Sequence, residues 1–305
     1  MLSLEYIQDW LVLRSGDLRA RTVESYASLI RLHIAPVIGE IPVTELTALH
    51  IRPMLARIVA AGHTRTAELC YVLLLAALSD LPQCPMKGVP RPAHIQQTPV
   101  PWSDEQIQSY MAALADHPHG LALSLGLVLG LRRGEICGLR WQDVDFTRCE
   151  VHIVNQRYRL DDGRIVDALP KSRSSIRSIP VPEPLMKRLR QSRQLTGYID
   201  SISPSGLDAA HRALVSRLDL PAIPLHGLRH SMATACIRNG GEMRALQIVL
   251  GHASYTTTAN RYTHPDHTML AAAIDAVTHS CYTIDAQSGP NLSLTLNQGV
   301  QGSSP

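Results

Sequence analysis

Apolar residues recur at helical spacing through the first eighty residues, which predicts an all-helical start to the chain. The apolar positions of the first two predicted helices are Leu4, Ile7, Trp10, Leu11, Val23, Tyr26, Leu29 and Ile30. Two further helical patterns cover residues 49–61 and 64–79, and Gly62 separates them. Residues 1–82 are therefore expected to form a small helical domain.

A proline-rich stretch follows this helical region. Residues 83–101 have little hydrophobic periodicity and contain Pro85, Pro90, Pro92, Pro99 and Pro101. This composition is typical of an extended connector between domains. Ser103 followed by Gln106 has the form of a capping box, so a helix should begin directly after the connector. A second domain is predicted over residues 102–280.

The second domain mixes helical and β-favouring patterns. The predicted helices cover residues 103–116, 119–130, 183–195, 207–218, 226–239, 242–250 and 255–263, with a short helix after Gly134. The β-favouring stretches 149–155, 164–168 and 176–181 are expected to form one small antiparallel sheet. The fold class is thus mainly α with a small antiparallel β-sheet. Residues 281–305, rich in Ser, Gly, Asn and Gln, predict a flexible tail.

Composition narrows the class of protein. Of the 305 residues, 45% are hydrophobic and 18% are charged, which suffices for two cores and excludes a chain too polar to fold. The longest apolar run, residues 121–131, is too short to cross a bilayer, and the N-terminus lacks a secretory signal. The six cysteines include no C-x-x-C pair, so neither a disulfide framework nor a thiolate zinc site is indicated. A soluble intracellular protein with no membrane association is expected.

The basic residues are unusual in type and placement. The net charge is only +3, but the sequence contains 26 arginines and three lysines. Residues 157–193 hold ten basic and four acidic residues. Because arginine binds phosphate through a bidentate fork, this stretch predicts a surface that faces a polyanion. A solvated charged face is the alternative.

Three short motifs contain the candidate chemistry. Residues 130–135, Gly-Leu-Arg-Arg-Gly-Glu, place Arg132 and Arg133 near a helix N-terminus, which favours anions; a surface salt bridge between Arg132 and Glu135 is the alternative. Residues 226–230, His-Gly-Leu-Arg-His, place two histidines and an arginine on one helical face. The two histidines could also bind zinc, but the sequence marks no third ligand. The third motif is Leu-Gly-His at 250–252, followed by Thr-Thr-x-x-Arg-Tyr up to residue 262.

Taken in order, and with Pro-Lys-Ser at 170–172, these motifs resemble the tyrosine recombinase family, also called phage-type integrases. The likeness covers residues 99–280 and extends more loosely to residues 1–80. It implies an N-terminal helical core-binding domain that contacts DNA and an α+β catalytic domain. Leu129 departs from the family pattern, in which many relatives have Thr, and Ala259 with Asn260 adds a residue before Arg261 relative to some members. Neither departure removes a catalytic side chain.

The resemblance assigns a role to each matched residue. It implies that Tyr262 is the nucleophile, that Arg132 and Arg229 hold the scissile phosphate, and that Glu135 supports Arg132. It further assigns Lys171, His226 and His252 to the active site: we expect Lys171 to protonate the leaving 5′-oxygen, His226 to accept the tyrosine proton and His252 to donate to a phosphate oxygen. Additional candidate DNA contacts are Arg133, Arg173, Arg177, Arg19, Arg21 and Arg65. Exposed solubilising charge is the alternative for these arginines.

The implied activity is site-specific DNA recombination through a 3′-phosphotyrosyl intermediate, without metal, ATP or another cofactor. Family members generally act as homotetramers on two double-stranded DNA sites, and the apolar stretch 269–277 is expected to dock on a neighbouring protomer. A prokaryotic or phage-encoded protein acting in the cytoplasm, at the nucleoid, would fit. Two alternatives stay open: strand swivelling like that of type IB topoisomerases, and a DNA-binding accessory protein without catalysis.

Overall fold

The computed structural model describes residues 1–94, 100–160, 162–170, 175–251, 267–284 and 294–295. The chain divides into two compact units, Met1–Thr98 and Pro99–Pro305. Each unit has a hydrophobic core of its own. The prediction of a mainly helical chain with short antiparallel strands is confirmed.

The secondary-structure elements described in the N-terminal unit are helices. Its α-helices are α1 (Ser3–Arg14), α2 (Ala20–Leu29), α3 (Ala35–Ile38), α4 (Ala48–Ala60) and α5 (Thr64–Leu78), and a π-helical turn, Ile30–Ile34, joins α2 to α3. The buried positions of α4 are Ile51, Met54, Leu55 and Ile58. Because these positions recur every three or four residues, one face of α4 packs into the core.

Part of the predicted connector belongs to this helical core. Met86 and Val89 are buried among the helices, and an Nη2 proton of Arg52 is donated to the carbonyl oxygen of Gly88 at 2.6 Å. The prediction of an extended connector over residues 83–101 is therefore wrong for its first half. The proline content suggested a connector, but two apolar side chains in this stretch stabilise the core by being buried.

The helices of the second unit are α6 (Asp104–Ala113), α7 (Gly120–Val128), α8 (Arg133–Gly138), α9 (Glu183–Ser192), α10 (Pro204–Arg217), α11 (Leu225–Arg238), α12 (Met243–Leu250) and α13 (His267–Cys281). The predicted capping box is confirmed at the start of α6, where the Ser103 backbone N–H donates to Gln106 Oε1 at 2.9 Å. Helix α7 is apolar almost all round and lies in the middle of the core. The predicted helix 255–263 lies outside the described residues.

The short strands form separate sheets rather than the single sheet predicted. Strands β1 (Val144–Asp145), β2 (Glu150–Ile153) and β5 (Arg177–Pro180) form one antiparallel sheet, with Val151 opposite Ile179. Strands β3 (Gln156–Arg159) and β4 (Ile165–Ala168) form a hairpin of their own. The side chains of this hairpin are half-buried or exposed, whereas β2 and β5 bury apolar residues in the core. The two sheets therefore differ in burial: the three-stranded sheet packs on the core, and the hairpin is half-exposed.

Helix α13 packs within its own unit, and two short strands follow it among the described residues. Ala273, Ile274 and Val277 of α13 are buried against α6, α11 and α12 of the same chain. This stretch is therefore covered within its own unit, and its expected docking on a neighbour stays a prediction. Within the predicted tail, β6 (Thr283–Ile284) pairs with β7 (Leu294–Thr295). Among the described residues, no helix combines the length and apolar character needed to span a membrane.

Candidate active site

The turn between α7 and α8 begins the candidate site. Gly130 has a φ of +61°, and a Cβ there would lie 2.6 Å from Cδ2 of Leu250, so both backbone conformation and space favour glycine. Arg132 then caps α8 in an extended conformation. Its backbone N–H donates to Glu135 Oε2 at 2.9 Å, and its Nη1 donates to Oε1 at 2.8 Å. The sequence-predicted pairing of Arg132 with Glu135 is therefore present.

Helix α11 supplies the second arginine of the motif pair. Arg229 is 3% exposed and donates from Nη1 to the carbonyl of Gly130 at 2.8 Å and from Nη2 to the carbonyl of Leu250 at 2.5 Å. His226, one turn earlier, is exposed, and its ring meets that of His230 edge to face at 5.2 Å between centroids. Arg229 thus links the turn after α7 to the end of α12.

The C-terminus of α12 is where the arginines converge. The last carbonyls of a helix have no partner within the helix, and Gly251, with a φ of +63°, ends α12 in the left-handed conformation. Val249 O accepts from Arg177 at 2.5 Å, Leu250 O from Arg229, and Gly251 O from Arg132 at 3.0 Å. Three successive carbonyls are therefore bound by three different guanidiniums. Cations are favoured there because the helix dipole is negative at this end.

One carboxylate lies behind these three cations. Glu135 is buried and accepts hydrogen bonds from both Arg132 and Arg177. Burial alone would raise the pKa of Glu135, but the hydrogen bonds and charges of Arg177 and Arg132 outweigh it, and the pKa lies below its usual value. Glu135 is therefore ionised at neutral pH.

The four charged groups leave an excess of positive charge. Burial is the largest cause lowering the pKa of Arg229 to about 9, and the nearby charge of Arg132 adds to it. Arg132 is 35% exposed, whereas Arg177 is 5% exposed. An anion approaching these four groups would therefore meet Arg132 first, and its charge would offset the repulsion between the guanidiniums.

Four predicted site residues, Lys171, Arg173, His252 and Tyr262, lie outside the described residues, so their roles stay predictions. Among the residues described, no three His, Cys, Asp or Glu side chains are grouped as metal ligands. The zinc alternative for His226 and His230 therefore finds no third ligand in that part of the chain.

The predicted DNA contacts differ in their surroundings. Arg19, Arg21 and Arg65 are exposed on the N-terminal unit, and Arg133 is half exposed and paired with Asp208. Arg177 does not fit a direct DNA contact, because it is buried and its guanidinium is bonded to Glu135 and to backbone carbonyls. Its neighbours in a basic stretch suggested a surface position that it does not occupy.

The residues that hold the start of α11 lie outside the sequence motifs. His211 is fully buried, with Nδ1 2.8 Å from the hydroxyl of Tyr110 and Nε2 3.0 Å from the carbonyl oxygen of Ile223, just before α11. A usable signal exists, since His211 shares an apolar helical face with Leu207 and Leu214. A polar residue at such a position is expected to be hydrogen-bonded inside the core.

Comparison with known proteins identifies the family. A sequence model of the phage integrase family matches residues 103–269, which is more than half of the chain. The chain belongs to this family, the tyrosine recombinases. A second model, of the phage integrase N-terminal SAM-like domain, matches residues 4–57 of this integrase-family chain.

Individual relatives are distant. The tyrosine recombinase XerC-like protein of Caldanaerobacter subterraneus subsp. tengcongensis is 28% identical over 194 residues, which cover 53% of this integrase-family chain and 50% of the relative. Tyrosine recombinase XerC of Xylella fastidiosa strain 9a5c is 27% identical over 288 residues, covering 84% and 90% respectively. The integrase-family chain thus spans half of one relative's length and nine-tenths of the other's.

Solved structures share the fold. The Tn1549 transposon integrase in complex with transposon right end DNA superposes with a TM-score of 0.68 at 19% identity, covering 91% of this chain and all of the other. A λ integrase tetramer bound to a Holliday junction gives 0.65 at 18% identity, covering 84% and 76%. At these identities the likeness establishes the fold of this integrase-family chain.

Proposed function

We propose that the chain is a site-specific DNA recombinase that cuts and rejoins DNA strands through a covalent 3′-phosphotyrosyl intermediate at Tyr262. The observation that carries the proposal is the convergence of Arg132 and Arg229, from different helices, on the adjacent carbonyls of Gly251 and Leu250. Family membership supplies the chemical context.

The paired guanidiniums suit phosphoryl transfer. The non-bridging oxygens of a phosphodiester repel nucleophiles, and their negative charge grows in the transition state. Each hydrogen bond from a guanidinium to such an oxygen contributes roughly 1.5–3 kcal/mol net. We propose that Arg132 and Arg229 exchange carbonyl oxygens for phosphate oxygens when DNA binds, because an anion is the stronger acceptor.

Proton transfers complete the proposed reaction. Ionising a tyrosine with a pKa near 10 at pH 7 costs about 4 kcal/mol, so Tyr262 needs a base or a cationic surrounding. His226 accepts the phenolic proton, Lys171 protonates the leaving 5′-oxygen, and His252 donates to a phosphate oxygen. The phosphotyrosyl ester conserves the energy of the broken bond, so rejoining to a 5′-hydroxyl needs no ATP.

The proposed partners are double-stranded DNA and further copies of the chain. The λ integrase tetramer bound to a Holliday junction and the Tn1549 integrase bound to transposon DNA share this fold. By analogy, four protomers would bring two DNA sites together. Arg19, Arg21, Arg65 and Arg133 are exposed, and contacts from them to phosphates would make affinity strongly dependent on salt.

A trapping experiment tests the proposal. Duplex fragments tiled across the DNA that flanks the gene, each with a nick near the trial site, are incubated with wild-type protein and with Tyr262→Phe. We expect a denaturant-resistant protein–DNA adduct with wild type and none with the variant. Binding without an adduct on any fragment would favour the accessory-protein alternative, and relaxation of a supercoiled plasmid that lacks these fragments would favour the topoisomerase alternative.

A further inference from the structure

We infer that Arg177 is a positioning residue that keeps Arg132 and Arg229 in register, and that it does not contact DNA. The inference rests on the proposed function, because it assigns Arg177 a part in the chemical step. Sequence pattern alone had placed this arginine among the DNA contacts, in a stretch with ten basic residues.

The first supporting contact is a fork-to-fork ion pair. Arg177 Nη1 lies 3.1 Å from Glu135 Oε1, and Nη2 lies 3.0 Å from Oε2. The same two oxygens accept from the Nη1 and the backbone N–H of Arg132. Each carboxylate oxygen therefore takes one hydrogen bond from each arginine. Arg177 fixes the plane of the carboxylate, and the carboxylate in turn orients Arg132.

The second contact joins Arg177 to α12. Its Nε donates to the carbonyl of Val249 at 2.5 Å, and Nη1 also donates to the carbonyl of Ser175 at 3.0 Å. Val249 directly precedes Leu250, whose carbonyl binds Arg229. One guanidinium thus connects the support of Arg132 on α8 with the helix end that binds Arg229.

The backbone of Arg177 is held in a β-sheet. The residue begins β5 and pairs with Ile153 of β2, in a sheet whose inner face is buried. The planar guanidinium reaches Glu135, Val249 and Ser175 simultaneously, which the single ammonium of lysine does not reproduce. At 5% exposure the side chain has no surface for a DNA phosphate.

This geometry separates binding from chemistry. When Arg132 and Arg229 exchange the carbonyls at the end of α12 for phosphate oxygens, Glu135 still holds Arg132, and Arg177 still holds Glu135 and the carbonyl of Val249. Loss of Arg177 would misplace the phosphate-binding pair while leaving the DNA-facing surface intact. Misplacement on the order of 1 Å costs about a hundredfold in rate.

The first test compares DNA affinity with cleavage for Arg177→Gln and Arg177→Lys. We expect the dissociation constant and its salt slope to stay within about twofold of wild type, whereas single-turnover cleavage of the nicked substrate at saturating protein falls roughly a hundredfold. A DNA contact would instead weaken binding and reduce the salt slope by about one, as expected for Arg133→Gln. That result, or wild-type cleavage, would overturn the inference.

A matched control separates a positioning role from loss of folding. Arg188 on α9 is a partly buried arginine whose partners, the Ser124 hydroxyl at 2.8 Å and the Leu114 carbonyl at 2.9 Å, are not residues of the site. Arg188→Gln should lower the unfolding midpoint but leave saturating cleavage unchanged. If Arg177→Gln does not fold, Arg177→Lys keeps a charge beside Glu135 and provides the folded comparison.

A neutral substrate gives the decisive readout. Replacing one non-bridging oxygen of the scissile phosphate by a methyl group removes the charge that Arg132 and Arg229 stabilise. If Arg177 acts through them, the cleavage defect of Arg177→Gln should shrink at least tenfold on this methylphosphonate, in parallel with Arg132→Gln. An equal defect on both substrates would contradict the inference. Absence of any wild-type adduct on the ordinary phosphate would instead refute the proposed function.

Discussion

At the scale of single residues, Arg229 is a charged group in a place that normally excludes charge. It is buried, lies near the cation of Arg132, and is bonded to the carbonyls of Gly130 and Leu250. Burying a charge without an opposite charge in direct contact costs free energy. A bound anion would offset that cost, so anion binding should be measurable as stability.

Millimolar sulfate should therefore raise the unfolding midpoint more than chloride at matched ionic strength. A ligand at 100 times its dissociation constant stabilises the folded state by about 2.7 kcal/mol. Calorimetry on wild type, Arg132→Gln and Arg229→Gln measures the effect. Both variants should lose the sulfate-specific gain, and an equal gain in all three proteins would show that sulfate acts elsewhere.

The same measurement has a defined pH dependence. Because the pKa of Arg229 is about 9, its charge is present at pH 7 and lost above pH 9. The sulfate gain should shrink as pH rises past about 9. Without an anion, stability should change with pH in the opposite direction. The pKa of Arg229 is lower in the folded state than in the unfolded state, so its contribution to the free energy of unfolding increases above pH 9. A sulfate gain that stays constant to pH 10.5 would contradict this assignment.

Side-chain contacts could be predicted from the sequence where both partners belong to one motif. The pairing of Arg132 with Glu135 follows from their spacing of three on a helix. The contact of Arg177 with Glu135 was not predicted, because the two residues lie 42 positions apart in the chain. Neither charge pattern nor local spacing reveals a partner that only the folded chain brings close.

At the scale of elements, the entry into α11 depends on a buried polar chain. The Tyr110 hydroxyl is placed to donate to Nδ1 of His211, whose Nε2 then donates to the carbonyl of Ile223. This arrangement requires a neutral ring, and burial is the main cause that lowers the pKa of His211. Protonation of His211 would therefore loosen the segment that leads to His226 and Arg229.

Stability should consequently depend on pH on the acidic side. The folded pKa of His211 lies below the unfolded value near 6.5, so its contribution is complete above pH 6.5 and is lost as pH falls through the lowered folded pKa. Urea unfolding at pH 8 and pH 5.5 should show a smaller pH difference for His211→Gln, which keeps an N–H for Ile223. The pKa of His117 is also lowered by burial, so part of the dependence should persist. Identical pH dependence in both proteins would be evidence against this role.

The contact between α8 and the β3–β4 hairpin depends on small residues. A Cβ on Gly138 would lie 2.7 Å from Cα of Gln156, which is main chain and unable to rotate away. Gly138→Ala should lower the free energy of unfolding by about 1–3 kcal/mol through overpacking. Gly16→Ala is the control, since nothing lies within 4 Å of its added methyl group. Denaturant midpoints of both variants test the contact. Equal midpoints would show that the hairpin backbone can shift to accommodate the added methyl group at little cost.

Periodicity predicted the helices well and the strands less well. Helix α4 presents apolar residues at every turn, so its existence and buried face were both readable. Strand β3 reads Gln-Arg-Tyr-Arg, which has no apolar alternation, and its pairing with β4 was therefore missed. Short, half-exposed strands have no buried face, so they do not require alternating apolar residues that a sequence pattern would reveal.

At the scale of the whole molecule, the two units have separate cores, and the boundary lies later than composition suggested. Met86 and Val89 extend the N-terminal core beyond residue 82. The motifs indicated the family that the family model shows, although the relatives compared are less than 30% identical to the chain. Proline content gave a poor estimate of where packing ends.

Two fragments test that boundary. Residues 1–94 should fold as a cooperative helical unit, because they contain a complete core. Residues 1–82 lack two buried apolar side chains and should be less stable by on the order of 3 kcal/mol. Circular dichroism with urea titration of both fragments measures the difference. Equal stability would restore the earlier boundary.

The self-covered face of α13 has a consequence for association. Ala273, Ile274 and Val277 are already buried within one chain. A second copy of the chain offers an identical site for this helix. Exchange of α13 between two copies would therefore change the free energy of packing little, but it would be slow because both helices must first leave their own units. Pairing by exchange of this helix would then require two copies to stay side by side until both helices have dissociated from their own units.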